Sequence, residues 1–177
     1  MTIKAFEGHS PNIHPEAWVD DSAYVSGQTT IGAGSSIWPM VVIRGDINTI
    51  TIGERTNIQD GAVLHVTHGG PFTRPKGYPL IIGDDVIVGH RAVLHACTIG
   101  NRCLIGMSAT VMDGVVVGDD TVIAAGSLVP PHKHLPGGYL YAGSPAKQVR
   151  PLTEKELAYF TYSSGYYAKL AQRTAAS

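Results

Sequence analysis

Aliphatic residues return along most of this chain at every sixth position. Ile13, Val19, Val25, Ile31, Ile37 and Ile43 are evenly spaced. The run resumes at Ile52, Ile58 and Leu64, then at Ile82, Val88 and Leu94, and closes with Ile99, Ile105, Val111, Val117, Ile123 and Val129. A period of six is wrong for an α-helix and too strict for an ordinary sheet. It predicts a triangular coil of short parallel strands, three hexapeptides per turn, each burying one aliphatic side chain in a central stack. Eighteen repeats make about six coils.

A second column supports the register. Four places after the aliphatic residue stands mostly a small one: Ala17, Ala23, Thr29, Ser35, Thr56, Ala62, Ala92, Thr98, Cys103, Ala109, Thr121, Ser127. Glycine often follows the aliphatic residue directly, as at Gly32, Gly53, Gly83, Gly89, Gly100, Gly106 and Gly118. Positive φ is expected there. The period breaks three times. Nine residues separate Ile43 from Ile52, five separate Leu94 from Ile99, and eighteen separate Leu64 from Ile82. Residues 65–81, with Gly69, Gly70, Pro71, Pro75, Gly77 and Pro79, are expected to leave the coil as a loop. The expected organisation is a single domain over 1–177: a β-helix over about 13–134, a linker over 135–152, and a helix over 153–174. Thr153 and Glu156 form a capping-box start for that helix. Leu157, Phe160, Ser164, Tyr167 and Ala171 lie roughly on one stripe.

The faces can be numbered. The third face of successive coils begins at Ile43, Leu64 and Leu94, so Arg44, His65 and His95 form one outward column. The Cα atoms of His65 and His95 are expected about 5 Å apart. Two imidazole nitrogens on one tetrahedral zinc lie about 3.3 Å apart. His90 follows the second face and stands up to ~16 Å of extended chain from His95. It shares a metal with His65 and His95 only across an interface, which predicts three subunits around a threefold axis. The alternative is that these are plain polar surface residues, as His9, His14, His132 and His134 are taken to be.

Composition narrows the setting. Across 177 residues the formal net charge is −1 and charged residues make up 15%, which gives no nucleic-acid or membrane-surface footprint. No apolar run reaches the ~18 residues of a membrane span. Met1–Gly8 lack the apolar stretch of a signal peptide. A cytoplasmic protein is expected. Cys97 and Cys103 are read as reduced structural thiols, with packing as the default for Cys103.

Arg44-Gly45-Asp46, Asn57-Ile58-Gln59-Asp60, His65, Val88-Gly89-His90 through Leu94-His95, and Gly143-Ser144-Pro145-Ala146-Lys147 resemble the γ-class carbonic anhydrase family over residues 10–165. The resemblance implies an all-β, left-handed parallel β-helix with a C-terminal α-helix, assembled as a homotrimer. It implies zinc, or iron or cobalt, at each subunit interface, with His65, His90 and His95 as ligands. It implies reversible hydration of carbon dioxide to bicarbonate by metal-bound hydroxide. Gln59 matches a residue that hydrogen-bonds the metal's water, and Asn57 a neighbour in that network. Arg44 and Asp46 match a pair at the interface near the bound anion; a plain intersubunit salt bridge is the alternative role. Residues 65–81 contain no Asp or Glu, unlike the acidic proton-shuttle loop of the family's prototype. His68 is a substitute shuttle in that loop or an idle residue. Tyr162 is a weaker candidate for the active-site wall. The competing functions are a hexapeptide acyltransferase, a metal-holding trimeric scaffold, and a metal-dependent thioester hydrolase.

Overall fold

The computed structural model describes residues 2–176; the ends of the 1–177 span, Met1 and Ser177, lie outside the described residues. The chain winds as a parallel β-helix of three faces. On the first face the stacked residues are Ile13, Ile31, Ile52, Ile82, Ile99, Val117 and Leu135. On the second they are Val19, Ile37, Ile58, Val88, Ile105, Ile123 and Tyr141. On the third they are Ile3, Val25, Ile43, Leu64, Leu94, Val111 and Val129. Six complete coils run from Ile13 to Val129, with an incomplete turn at each end. Most of these side chains are fully buried and form one continuous core.

The stretch 135–152, expected as a linker, is mostly strand. His134–Leu135 and Tyr139–Gly143 continue the coil, and Ala146–Pro151 folds back antiparallel on Tyr139–Gly143. The six-residue spacing runs on through Leu135 to Tyr141. It is disguised because a tyrosine takes the aliphatic place and glycines and prolines surround it. The Tyr141 ring is buried, with its hydroxyl donating to the Pro136 carbonyl at 2.8 Å.

The glycines after the aliphatic residues do a different job from the one expected. Positive φ falls two residues later, at Arg55, Asp85, Arg91, Arg102, Ser108 and Asp120. The glycines allow close stacking of coils: a Cβ on Gly106 would lie 2.3 Å from the Ala125 nitrogen, and one on Gly89 2.7 Å from the Met107 nitrogen. The small column also slips at the five-residue repeat. Cys97, not Thr98, takes the buried corner place there.

The insertion leaves the coil after Val66 and returns at Leu80, pinched at its neck where Thr67 pairs with Tyr78. The Asn48 side chain ties this neck down, donating to the carbonyls of Thr67 at 3.0 Å and Lys76 at 2.9 Å.

The C-terminal helix, Glu154–Ala175, starts at the capping box of Thr153 and Glu156. It runs unbroken through Ser163-Ser164-Gly165 and lies across the second face. Ser163 and Ser164 are buried, and as small residues they let the helix approach closely. Phe160 and Ala171 are buried with them, while Leu157 is 38% exposed and off the contact stripe. The Ser164 hydroxyl donates to Asp85 at 2.9 Å, and Tyr167 meets Trp38 edge-on at 5.7 Å between ring centroids. Among the described residues no helix is long and apolar enough to cross a membrane.

Candidate metal centre

Histidine chemistry gathers at two corners of the triangle. At the third corner, after the third face, His65 and His95 pair in register on neighbouring rungs. Their rings converge, with His65 Nδ1 and His95 Nε2 3.1 Å apart. Each ring's other nitrogen faces a carboxylate. His65 Nε2 lies 3.0 Å from Asp46, and His95 Nδ1 lies 2.6 Å from Asp113. An ionised carboxylate only accepts, so each ring spends its proton on that side. In their neutral form two such rings point lone pairs at each other, an arrangement that a cation between them would relieve. The 3.1 Å gap is close to the separation of two nitrogens on one tetrahedral zinc, about 3.3 Å.

The electrostatics keep His65 neutral. Burial pushes its pKa down, and the nearby Arg44 charge adds to this against the pull of Asp46. Asp46 is opposed by burial, yet its bonds to His65 and the Arg44 charge hold its carboxyl below the usual range. The Arg44 guanidinium donates to Asp46. Asp113 is likewise lowered despite burial, through the Thr67 hydroxyl and His95.

His90 stands at the second corner with its Nδ1 2.9 Å from Asp60. Its neighbour Gln59 is 6% exposed and donates from Nε2 to Asn57 Oδ1 at 3.1 Å. Asn57 Nδ2 is buried with no partner among the described residues. Gln59 and His90 open onto a cleft of about 470 Å³ between the helix and the second face. Its walls include Ile87, Leu104, Met107, Tyr159 and Tyr167.

The single chain thus brings together Arg44, Asp46, His65 and His95, and separately Asn57, Gln59 and His90. Among the described residues no three His, Cys, Asp or Glu side chains gather to hold one ion. Tyr162 stands outside the cleft, 69% exposed and stacked on Tyr166. His68 is exposed in the insertion, its Nδ1 donating to the Gly69 carbonyl at 2.8 Å. Both cysteines are buried; burial raises the Cys97 thiol's pKa steeply and pushes that of Cys103 up to about 12, so neither offers a thiolate.

Sequence reasoning missed three features. Asp113 escaped because the five-residue repeat shifts its column by one, although it sits one coil beyond His95. Asp60 carried a signal, one coil before His90 at the same corner, that went unused. Tyr159 and Tyr167 in the cleft follow from where the helix lands, which periodicity does not encode.

Residues 96–131 match the bacterial transferase hexapeptide family (six repeats). Protein YrdA of Escherichia coli K12 is 53% identical over 167 residues, covering 94% of this chain and 90% of that protein. Gamma carbonic anhydrase 1, mitochondrial, of Arabidopsis thaliana is 46% identical over 94% of this chain, which spans 60% of that protein's length. The solved hexapeptide transferase family protein of Anaplasma phagocytophilum superposes with a TM-score of 0.88 at 38% identity, covering 97% of this chain and 96% of that one. The chain therefore belongs to the hexapeptide-repeat family that takes in the γ-class carbonic anhydrases and their bacterial relatives.

Proposed function

We propose that this protein is a homotrimeric, metal-dependent carbonic anhydrase-like enzyme that interconverts carbon dioxide and bicarbonate. The observation that carries the reading is the facing nitrogens of His65 and His95, each ring backed by a carboxylate. Three copies around a threefold axis would set this corner of one chain against the His90 corner of the next. Three imidazoles leave the ion's charge at +2 and a position open, which distinguishes catalytic from structural sites. Zinc, or iron or cobalt in the same ligand set, would supply a Lewis acid that makes water a nucleophile near neutral pH.

The chain's own groups have separate tasks. Asn57 holds the Gln59 amide nitrogen, which leaves the Gln59 carbonyl oxygen free to accept a hydrogen bond from a water and orient it. Arg44, 47% exposed at its side chain, offers guanidinium donors to the anionic product. Asp46 keeps Arg44 and His65 in place. The apolar side of the cleft suits an uncharged substrate. The proton must leave without a carboxylate in the insertion, which has none; His68, exposed in that loop, is the imidazole placed to carry it.

The cleft's size favours one second reading. About 470 Å³ is far more than a three-atom substrate fills, and hydrolysis of an acyl thioester at the same metal would use it.

Purified protein, made without added metal, is assayed for bound metals and for carbon dioxide hydration, with His90→Ala alongside. One ion per chain with hydration, both lost in the variant, supports the proposal. Stoichiometric metal without hydration moves the function to thioester hydrolysis or a scaffold. No metal, even after zinc or anaerobic iron(II), removes the proposal and leaves acyl transfer.

A further inference from the structure

Asp113 lies outside every motif that marks the site, yet it makes the 2.6 Å contact that sets the His95 ring. Its second oxygen accepts from the Thr67 hydroxyl. A carboxylate held by one bond at a surface turn can rotate; one held at both oxygens cannot. Thr67 is itself fixed, since it begins the 67–79 insertion. Its N–H donates to the Tyr78 carbonyl at 3.0 Å, and its own carbonyl accepts from Tyr78 at 2.9 Å and from Asn48 at 3.0 Å. A line of hydrogen bonds therefore runs from the neck of the insertion through Thr67 and Asp113 to His95. Gly77 packs against this neck with φ +64, and a Cβ there would lie 2.1 Å from the Thr67 carbonyl oxygen.

We propose that Asp113, braced by Thr67, is the positioning residue of His95, and that the insertion thereby sets the affinity of the metal site. The inference rests on the reading of His65, His90 and His95 as ligands. A carboxylate behind a ligating imidazole fixes the tautomer and raises the basicity of the opposite nitrogen, and its loss commonly weakens metal binding 10–100-fold. The Thr67 hydroxyl contributes one hydrogen bond, whose loss corresponds to roughly 2–10-fold.

The test measures zinc affinity by competition with a chromophoric chelator, and the visible absorption of the cobalt(II) form. The series is Asp113→Asn, Thr67→Val, Thr67→Ser, Gly77→Ala, Phe72→Ala and His95→Ala. Asp113→Asn is expected to weaken zinc 10–100-fold and shift the cobalt spectrum. Thr67→Val and Gly77→Ala should weaken zinc less, and Thr67→Ser should restore it. Phe72→Ala, at the fully exposed tip of the insertion, should bind as wild type does. Wild-type affinity and an unchanged cobalt spectrum in Asp113→Asn, beside lost binding in His95→Ala, overturn the inference alone. Wild-type affinity in His95→Ala overturns the ligand reading beneath it. If Asp113→Asn does not fold, the Thr67→Val and Thr67→Ser pair decides: equal affinity in both overturns the proposal.

Discussion

Two corners of the same coil use charge in opposite ways. At the first corner, Arg55 grips Asp85 through Nε at 2.9 Å and Nη2 at 3.0 Å. Two coils beyond Arg55, Arg102 grips Asp120 the same way, at 2.7 and 2.9 Å. Each guanidinium fork meets a carboxylate one coil away, so donors and acceptors close on each other. At the third corner the carboxylates of Asp46 and Asp113 sit on the outer side of two imidazoles, whose inner nitrogens face each other with nothing to donate. The backbone is alike in both places. Stacking at about 4.8 Å brings residues of one column into contact whatever they are. The composition of the column decides between a ladder that satisfies itself and a pair of rings whose inner nitrogens are left facing each other.

The comparison is most sharply broken at the imidazoles. His95→Ala should abolish stoichiometric metal binding, a loss of more than 100-fold in affinity, while the melting temperature of the metal-free protein changes little because the ring is part-exposed. Equilibrium dialysis and thermal melts on one sample separate the two effects. The converse change, Asp85→Ala at the first corner, should leave metal affinity untouched and cost about 1–2 kcal/mol of stability, since Arg55 and Ser164 both lose their acceptor. Denaturant titration reads this directly.

The same ladder has a pH signature. Burial opposes the Asp85 charge, but hydrogen bonds from Arg55 and Ser164 hold its pKa below 3.8 in the folded protein. A carboxyl depressed by folding contributes stability that is present above its unfolded pKa and lost as pH falls through the folded one. The gap in melting temperature between wild type and Asp85→Asn should therefore be constant at neutral pH and narrow only below about pH 3.8. A gap that narrows near pH 6 would contradict the assignment. The smallest change is Ser164→Ala, expected to loosen the helix by about 0.5–1.5 kcal/mol, visible as faster amide exchange in the helix alone.

The architecture was largely legible because burial repeats: each aliphatic residue at a sixth position meets the same residue type one coil away. The helix start was legible because Thr153 and Glu156 are a local signal. The end of the coil was not, because Tyr141 fills a core position that the pattern reserves for Ile, Val or Leu. At the third corner, the pairing of His65 with His95 followed from register alone. Asp113 did not, because the five-residue repeat before Ile99 offsets its column. The cleft tyrosines were illegible for a different reason: Tyr159 and Tyr167 line the same cleft as Gln59 and His90 only through the way the helix lies on the second face.

The central claim is that one ion is held by two corners belonging to two chains. Mixed oligomers test it most directly. His90→Ala and His95→Ala each lack one half-site, and the two chains are co-expressed and purified as hetero-oligomers through different tags. Each variant alone should hold no stoichiometric metal, while the mixed trimers should recover roughly a third of wild-type occupancy, since one of the three interfaces in every mixed trimer pairs two intact halves. Recovery of no metal in the mixed oligomer, or full occupancy in His90→Ala alone, would contradict the account.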